Sequence, residues 1–493
     1  VTEQLTVIVL AAGGGTRMRS KTPKVLHAIG GRSMIGHVLH AVGTLEPDRL
    51  VTVVGHQREL VGPAVAELAP HAVLAVQEEQ RGTGHAVRVA LDALAEAGQR
   101  PTGGTVLVAY GDTPLLQGET LRDFVAAHAA AEAAVSVLSG IVEQPTGYGR
   151  IVREADGGVA AIVEEKDATD AQRAITEINS GILAVDAAFL AACVTRFNDD
   201  NASGEYYLTD AVGIARQDGL AVAAHPVLDA QQTEGVNDRV QLAELGRELN
   251  RRIVTGHQRN GVTVMDPAST WIDADVTLAA DVTILPGTQL LGTTTVAEDA
   301  VIGPDTTLAD CEIGAGARVV RSHGQLAVIG ERASVGPYSH LRPGTRLGVG
   351  GKIGGFVETK NADIGDGAKV PHLSYVGDAE IGEGANIGAG TIFANYDGVA
   401  KHRTTVGRHA KTGSNNTFVA PVNIGDGAGT GGGTVVREDV PPGALAVSSG
   451  PQRTIDGWAQ RKRPDTAQGR AAAAASDAAG AGPVSPDTET SGE

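Results

Sequence analysis

The chain is poor in cysteine. Cys193 and Cys311, far apart in 493 residues, provide neither a disulfide framework nor a metal or redox spacing, and read as buried free thiols. Aromatic residues make up 3% of the chain and methionine occurs three times, so the interior must be built from aliphatic and small residues. No stretch approaches the ~18 apolar residues of a membrane-spanning helix. The early apolar run Leu5 to Ala12 follows Glu3 rather than a basic segment, which argues against a secretory signal and for a cytoplasmic protein. Positive charge is also short: 40 Lys and Arg against 58 Asp and Glu give a formal charge of -18. Nucleic acid and anionic membranes select basic surfaces and are excluded as main partners. Any anionic ligand must be held by a few local Lys and Arg.

Glycine is abundant instead, 66 residues where the usual share is ~7%. Much of it belongs to a six-residue beat. Ile272, Leu278, Ile284, Leu290, Val296, Ile302 and Leu308 are spaced at six; Ile329, Val335, Leu341, Leu347 and Ile353 repeat the pattern, and Val406, Thr412, Phe418, Ile424 and Thr430 resume it. One aliphatic per six residues fits neither a helix face nor a strand alternation, unless short flat strands are separated by corners. Gly, Asp and Asn supply such corners, as in Ile424-Gly425-Asp426-Gly427. Three hexads close one triangular coil, so the stretch predicts a parallel β-helix of about nine coils, roughly 40 Å tall at ~4.8 Å per rung.

The length predicts two to four domains. Leu5 to Leu10 reads as a strand buried on both faces, and Ala11-Ala-Gly-Gly-Gly-Thr-Arg17 after it as a loop whose N–H groups cradle an anion, with Arg17 and Lys24 nearby. The spacing is neither a Walker loop nor the dinucleotide fingerprint. Strands at Leu50 to Gly55 and Thr105 to Tyr110, with helices near Met34 to Val42 and Gly84 to Leu94 between them, predict a doubly wound α/β sheet. Ligands bind beyond the carboxyl ends of such strands, where Gly111-Asp112 stands and Asp112 is a candidate Mg²⁺ ligand.

Further motifs follow: Gln77, Gly82-Thr83-Gly84-His85-Ala86, Gly147-Tyr-Gly149-Arg150, Glu164-Glu165-Lys166 and Asn179-Ser-Gly181. With Leu10-Ala-Ala-Gly13 they resemble the sugar-nucleotide pyrophosphorylases. With the hexapeptide solenoid attached, the chain from about Leu5 to Trp458 resembles the bacterial bifunctional N-acetylglucosamine-1-phosphate uridylyltransferases and glucosamine-1-phosphate N-acetyltransferases. That resemblance, not the period, implies that the β-helix is left-handed. It also implies a homotrimer whose acetyl sites lie between solenoids.

By the same resemblance, UTP and the sugar nucleotide are bound by Leu10, Ala11, Ala12, Gly13, Tyr110 and Gly111. Gln77, Gly82 and Thr83 read uracil; Gly149, Glu164 and Asn179 hold the sugar; Arg17 and Lys24 hold phosphates; Asp112 and Asn237 bind Mg²⁺. Asn237 also reads as the cap of a helix predicted from Arg239, whose apolar residues recur at three- and four-residue steps. Arg81 stands where many relatives carry an aliphatic.

In the solenoid the beat is broken twice between Ile353 and Ile381, and the family's acetyltransferase residues fall in and around this stretch. Arg342 and Lys360 are implied to hold the phosphate of glucosamine-1-phosphate, Tyr375 and Asn386 its sugar, His372 to act as general base and Glu358 to orient it. Thirteen residues from Phe393 to Val406 leave room for an external loop. Ala389, Asn395, Tyr396, Ser414 and Gly432 are implied to bind acetyl-CoA, with Lys401 at its phosphates and Trp458 stacking. Gly432 replaces a more usual alanine, and Ser449 stands where some relatives carry arginine.

The expected organisation is therefore a uridylyltransferase domain (1–238), a linker helix (239–260), an acetyltransferase β-helix (261–460) and a disordered tail (461–493). Two rival readings keep the folds but drop chemistry: a uridylyltransferase with a regulatory solenoid, and a non-catalytic binding protein. His372 with Glu358, Lys360 and Tyr375 counts against the first, and Arg17, Lys24, Asp112 and Asn237 against the second.

Overall fold

The computed structural model describes residues 4–155, 157–201, 203–448 and 450–480. Glu3, Ser449 and residues 481–493 of the expected tail lie outside the described residues. The opening apolar run forms β1 (Leu5–Ala11), followed along the chain by β2 (Arg49–Val54), β3 (Val73–Val76) and β4 (Thr105–Tyr110). These four are parallel, in spatial order β4-β1-β2-β3. The sheet continues with β5 (Val135–Ile141), a hairpin of β6 (Gly149–Arg153) and β7 (Val159–Val163), β8 (Glu177–Asp186) and β9 (Val222–Val227). Its path is β9-β5-β8-β4-β1-β2-β3. The sheet is thus not wholly parallel: β8 runs antiparallel to both β4 and β5, and its register against β5 shifts between Asn179 and Leu183. Such a bulge re-aims side chains, here beside the cleft.

Helices cover both faces, as the double-sided burial of β1 requires. Val7 and Val9 pack with Ile35, Val38 and Val42 of α1 (Met34–Gly43), while Ile8 packs with Val87, Leu91 and Leu94 of α2 (Thr83–Glu96). The Ser33 hydroxyl caps α1 by accepting from the Gly36 N–H at 3.2 Å. α3 (Gly118–Ala130) joins the α1 side through Leu121 and Phe124.

α4 (Arg239–Arg259) joins the two halves of the molecule, and its cap is Asp238 rather than Asn237: the Asp238 carboxylate accepts from the N–H groups of Val240 and Gln241. Leu245 packs with Met18, Ile29, Met34, Leu115 and Val236 of the sheet domain, and Val254 belongs to the solenoid core. Between them the buried Asn250 donates to the Thr270 carbonyl at 2.7 Å and accepts from the Ile272 N–H at 2.9 Å. Asn250→Leu strips both backbone groups of their partner, at about 1–3 kcal/mol each. The expected loss is about 2–6 kcal/mol at this junction, read as a lower urea midpoint; an unchanged midpoint would show that water replaces the amide.

The solenoid is a left-handed parallel β-helix. Strands pair in parallel at one-coil offsets, Trp271 with Gln289 and Thr277 with Thr295, and the hexad aliphatics Ile284, Leu290, Ile302 and Leu308 are fully buried. The ladder on one face runs from Thr263 to Leu445, beyond the predicted stretch at both ends. Later offsets shrink to sixteen or seventeen residues, as between Thr307 and His323 or Thr295 and Glu312, and the ladder absorbs them at the corners. Phe393 and Phe418 meet edge to face in the core at 5.0 Å.

The disorder expected from residue 461 is corrected up to Gly480, where short helices span Trp458–Lys462 and Ala467–Gly480. The run Ala471-Ala-Ala-Ala-Ala475 needs no apolar stripe to turn helical, because alanine has the highest intrinsic helix propensity. Among the described residues no helix is long and apolar enough to cross a membrane.

Candidate functional site

The carboxyl ends of β1 and β4 open into a cleft with two adjoining compartments. One, about 330 Å³, is lined by Leu10, Ala11, Ala12, Gly13, Lys24, Gln77, Gly82, Thr83, Tyr110 and Asp112. The other, about 290 Å³, shares Thr83, Tyr110 and Asp112 and adds Gly149, Glu164, Asn179 and Asn237. Residues separated by more than 200 positions thus meet. Gly111 lies behind the wall, its N–H donating to the Leu10 carbonyl at 2.9 Å, and Arg17 stands at the rim.

The Lys24 ammonium lies 2.5 Å from the Asp112 carboxylate and 3.2 Å from Oδ1 of Asn237, which also accepts from Arg17 at 2.8 Å. One carboxylate and one amide oxygen therefore converge on a positive charge. That donor set suits a hard cation that keeps waters and takes its other ligands from phosphate oxygens. Among the described residues no cluster of three or more His, Cys, Asp or Glu offers a richer metal site.

The compartment that holds Gln77 is shaped by Gly82, whose φ is +101°. An added Cβ there would lie 2.5 Å from the Tyr206 carbonyl oxygen, so no other residue fits without moving backbone. The segment Glu205 to Leu208 clips onto this loop: Gly84 N–H donates to the Tyr206 carbonyl, Tyr206 N–H to Arg81, and Leu208 N–H to the Thr83 hydroxyl. Arg81, the departure from the family pattern, stacks on Tyr206 at 4.9 Å and pairs with Asp199 at 3.4 Å. Its place is structural, on the outside of the loop. Glu205, Tyr207 and Thr209 line the compartment that holds Glu164, and no sequence signal marked them. They come from an irregular stretch with no periodicity to mark it.

Burial pushes the Glu164 carboxyl above its ordinary pKa, against the pull of the Thr209 hydroxyl, 3.4 Å away. Tyr110 is raised too, by burial and then by the charges of Glu164 and Asp112. A raised carboxyl pKa means that Glu164 stabilises the fold below its unfolded pKa, and that this contribution is lost as pH rises through the folded value. Glu164→Gln is therefore expected to raise the melting temperature at pH 7–8, leave it unchanged near pH 4, and weaken sugar-phosphate binding. A mutant no more stable at pH 8 would show that the carboxylate is already compensated.

The second group of residues lies on the outer surface of the solenoid. Glu358 pairs with Tyr375 in adjacent rungs, and His372 pairs with Gly355 across the corner from Glu358. Glu358 does not hold the imidazole as expected. Its carboxylate takes the Arg342 guanidinium at 2.9 Å, and His372 is exposed. The reason is electrostatic: the guanidinium within reach offers the carboxylate a charge-assisted bond.

Lys401, on the external loop, lies beside Lys360. Hydrogen bonding and repulsion from Lys401, with Arg342 adding to it, push the Lys360 ammonium below its ordinary pKa. The counter-charges are Glu358, paired with Arg342, and, facing Lys360, Asp378. Burial pushes its carboxyl up, but hydrogen bonds from Asn361 at 2.8 Å and Asn395 at 2.5 Å, with Lys401 and Lys360, hold it below the usual range. Three cations against two carboxylates leave a net positive site suited to an anion.

The external loop is present, closed by a bridge between Tyr396 and Lys401. Ala389, Ser414 and Gly432 form a column through successive rungs, tied by Asn415 N–H to the Ala389 carbonyl at 2.7 Å and Gly433 N–H to Ser414 at 2.8 Å. A Cβ on Gly432 would meet only the Ser414 oxygen, at 3.7 Å, so the replaced alanine costs the wall a methyl group and no geometry. Asn386 bridges Lys369 and Lys411. The Trp458 ring is covered by Arg463 of its own segment at 4.7 Å and is not brought to this column by any contact among the described residues.

Comparison with known proteins agrees with this geometry. Residues 7–177 match a family model described as a MobA-like NTP transferase domain. The chain is 60% identical over 479 residues to the bifunctional protein GlmU of Rhodococcus opacus, covering 96% of this chain and 95% of that protein. It is 59% identical over 465 residues to the protein of the same name from Mycolicibacterium vanbaalenii, covering 94% of each. With that of Corynebacterium efficiens it shares 57% over 473 residues, 95% of this chain and 96% of the relative.

Proposed function

The chain belongs to the family of bifunctional GlmU proteins, and from that membership we infer that it makes UDP-N-acetylglucosamine at two separate sites. The solenoid transfers acetyl from acetyl-CoA to glucosamine-1-phosphate; the sheet domain joins the product to the uridylyl group of UTP and releases pyrophosphate. The observation that carries this reading is the convergence of Arg17, Lys24, Asp112 and Asn237 between a compartment holding Gln77 and one holding Glu164.

In uridylyl transfer the sugar-phosphate oxygen attacks the α-phosphorus, and the bond to the β-phosphate breaks. Two anions must be brought together, so fixed positive charge and positioning supply most of the rate. Lys24 and Arg17 neutralise phosphate oxygens. Gln77 and Gly82 read the base, and Glu164, Asn179 and Gly149 hold the sugar. Asp112 and Asn237 would hold Mg²⁺, which would supply further positive charge against the phosphates when bound.

In acetyl transfer Arg342, Lys360 and Lys401 hold the phosphate of glucosamine-1-phosphate. A phosphate that engages Arg342 competes with Glu358 and frees that carboxylate for the imidazole across the corner. His372 takes the proton as the amine attacks the thioester carbonyl, and the coenzyme thiolate leaves. Neither cysteine serves as an acyl carrier: Cys193 and Cys311 are buried, and burial pushes both thiols up.

Tyr338, Phe356 and Leu373 occupy one solenoid corner in successive rungs, all at positive φ and each more than half exposed, with the first two rings stacked at 5.2 Å. Bulky residues held in this conformation are costly, and an exposed apolar column flanking His372 supports a homotrimer with sites between neighbouring solenoids. The use of UTP and acetyl-CoA, both intracellular metabolites, supports a cytoplasmic enzyme.

The test is direct. Incubation with glucosamine-1-phosphate, acetyl-CoA, UTP and Mg²⁺ should yield UDP-N-acetylglucosamine, pyrophosphate and free coenzyme thiol, and a trimer should sediment. Turnover of UTP with N-acetylglucosamine-1-phosphate but none of acetyl-CoA would reduce the protein to a uridylyltransferase.

A further inference from the structure

His85 has no part in either reaction as derived above, yet it stands in the first turn of α2 against the base compartment. Gln77 is 4% exposed, and its backbone is pinned by donation to the Val54 carbonyl at 2.8 Å. Its side-chain nitrogen lies 3.2 Å from the Gly82 carbonyl oxygen and 3.0 Å from Nδ1 of His85. A carbonyl oxygen only accepts, so the group facing Gly82 must be the amide NH₂, whichever way the amide is drawn. The second amide hydrogen then goes to His85, and Nδ1 must be the unprotonated ring nitrogen. The surroundings favour that form. Burial, then the Arg88 charge, hold the imidazole below its ordinary pKa, and the ring also hydrogen-bonds the Glu79 backbone. With both hydrogens occupied, the Gln77 carbonyl oxygen has no partner among the described residues and remains an acceptor beside the cleft.

The geometry points to His85 as the positioning residue that makes this cleft select uracil over cytosine. Uracil presents an N3–H donor to the Gln77 oxygen, whereas cytosine presents an unprotonated N3, acceptor against acceptor. Without His85 the Gly82 carbonyl alone opposes a half-turn of the amide, and the turned amide presents its NH₂ to cytosine N3. The inference rests on the uridylyltransferase reading and adds to it the residue that sets the polarity of the recognising amide.

The experiment compares kcat/KM for UTP and CTP, with N-acetylglucosamine-1-phosphate and Mg²⁺, in the full-length protein. Polar discrimination of this kind fails when the acceptor that fixes it is lost, so His85→Phe should lower the UTP-to-CTP ratio by about tenfold or more. His85→Asn, whose side-chain oxygen falls near the Nδ1 position, should keep the ratio within about threefold of wild type by the same logic. The acetyl-transfer rate of each variant checks that the chain has folded, and His85→Ala replaces His85→Phe if the ring does not pack. An unchanged ratio in His85→Phe or its Ala substitute, or an equal loss in His85→Asn, overturns the proposal and leaves the uridylyltransferase reading intact. A wild-type protein that uses CTP as readily as UTP overturns the base-recognition reading and this proposal together.

Discussion

Asp112→Ala is expected to abolish uridylyl transfer, by on the order of 10³-fold or more, while acetyl transfer stays at the wild-type rate. Among the described residues the Asp112 carboxylate is the only negative charge paired with the Lys24 ammonium, and it supplies one of two oxygens converging on it. Removing it leaves a lone amide oxygen, too little to hold a divalent cation against water. The fold is spared because the structural bond of this residue is made by its backbone, the carbonyl accepting from the Val236 N–H at 3.0 Å. Asp112→Asn keeps the shape but not the charge and should lose nearly as much. Measuring both reactions on one preparation decides the matter. Loss of acetyl transfer as well, in a folded trimer, would sink the two-site reading, and surviving uridylyl transfer would move the metal elsewhere.

The second large effect belongs to His372. An amine attacks only after losing a proton, and an imidazole with a reference pKa of ~6.5 accepts one near neutral pH. His372→Ala should therefore cost roughly 10²- to 10⁴-fold in acetyl turnover with little change in the affinity for glucosamine-1-phosphate. Arg342, Lys360 and Lys401 do not depend on the ring. The pairing of Glu358 with Arg342 sharpens the companion experiment, because Glu358→Gln frees the guanidinium as well as weakening support for the base. It should lower turnover less than His372→Ala does. Near-normal acetyl turnover in His372→Ala, with an unchanged pH profile, would hand the proton to water or another group.

What the sequence determined by itself is what periodicity and local chemistry carry. The six-residue beat fixed the solenoid, because each aliphatic at that spacing has only the next rung to pack against. The β-branched run Leu5 to Leu10, the parallel strands beside it and α1, α2 and α4 followed from local pattern in the same way, and the cleft residues followed from motifs recognisable as a family's. Sequence could not show that β8 runs antiparallel, for strand direction is settled by which neighbour a strand finds and not by its own residues. It also could not show the partners of charged side chains. Glu358 chose Arg342 over His372, Lys401 came to lie beside Lys360, and Asp238 rather than Asn237 capped α4, because electrostatic pairing depends on distances between residues that the chain itself places far apart. The helix at Ala467–Gly480 is the reverse case: a local propensity is legible in its alanines although it carries no apolar stripe. The polarity of Gln77 belongs wholly to the tertiary structure. An amide has two faces, and only the carbonyl of Gly82 and the ring of His85, brought to one side of it by the fold, decide which one the base will meet.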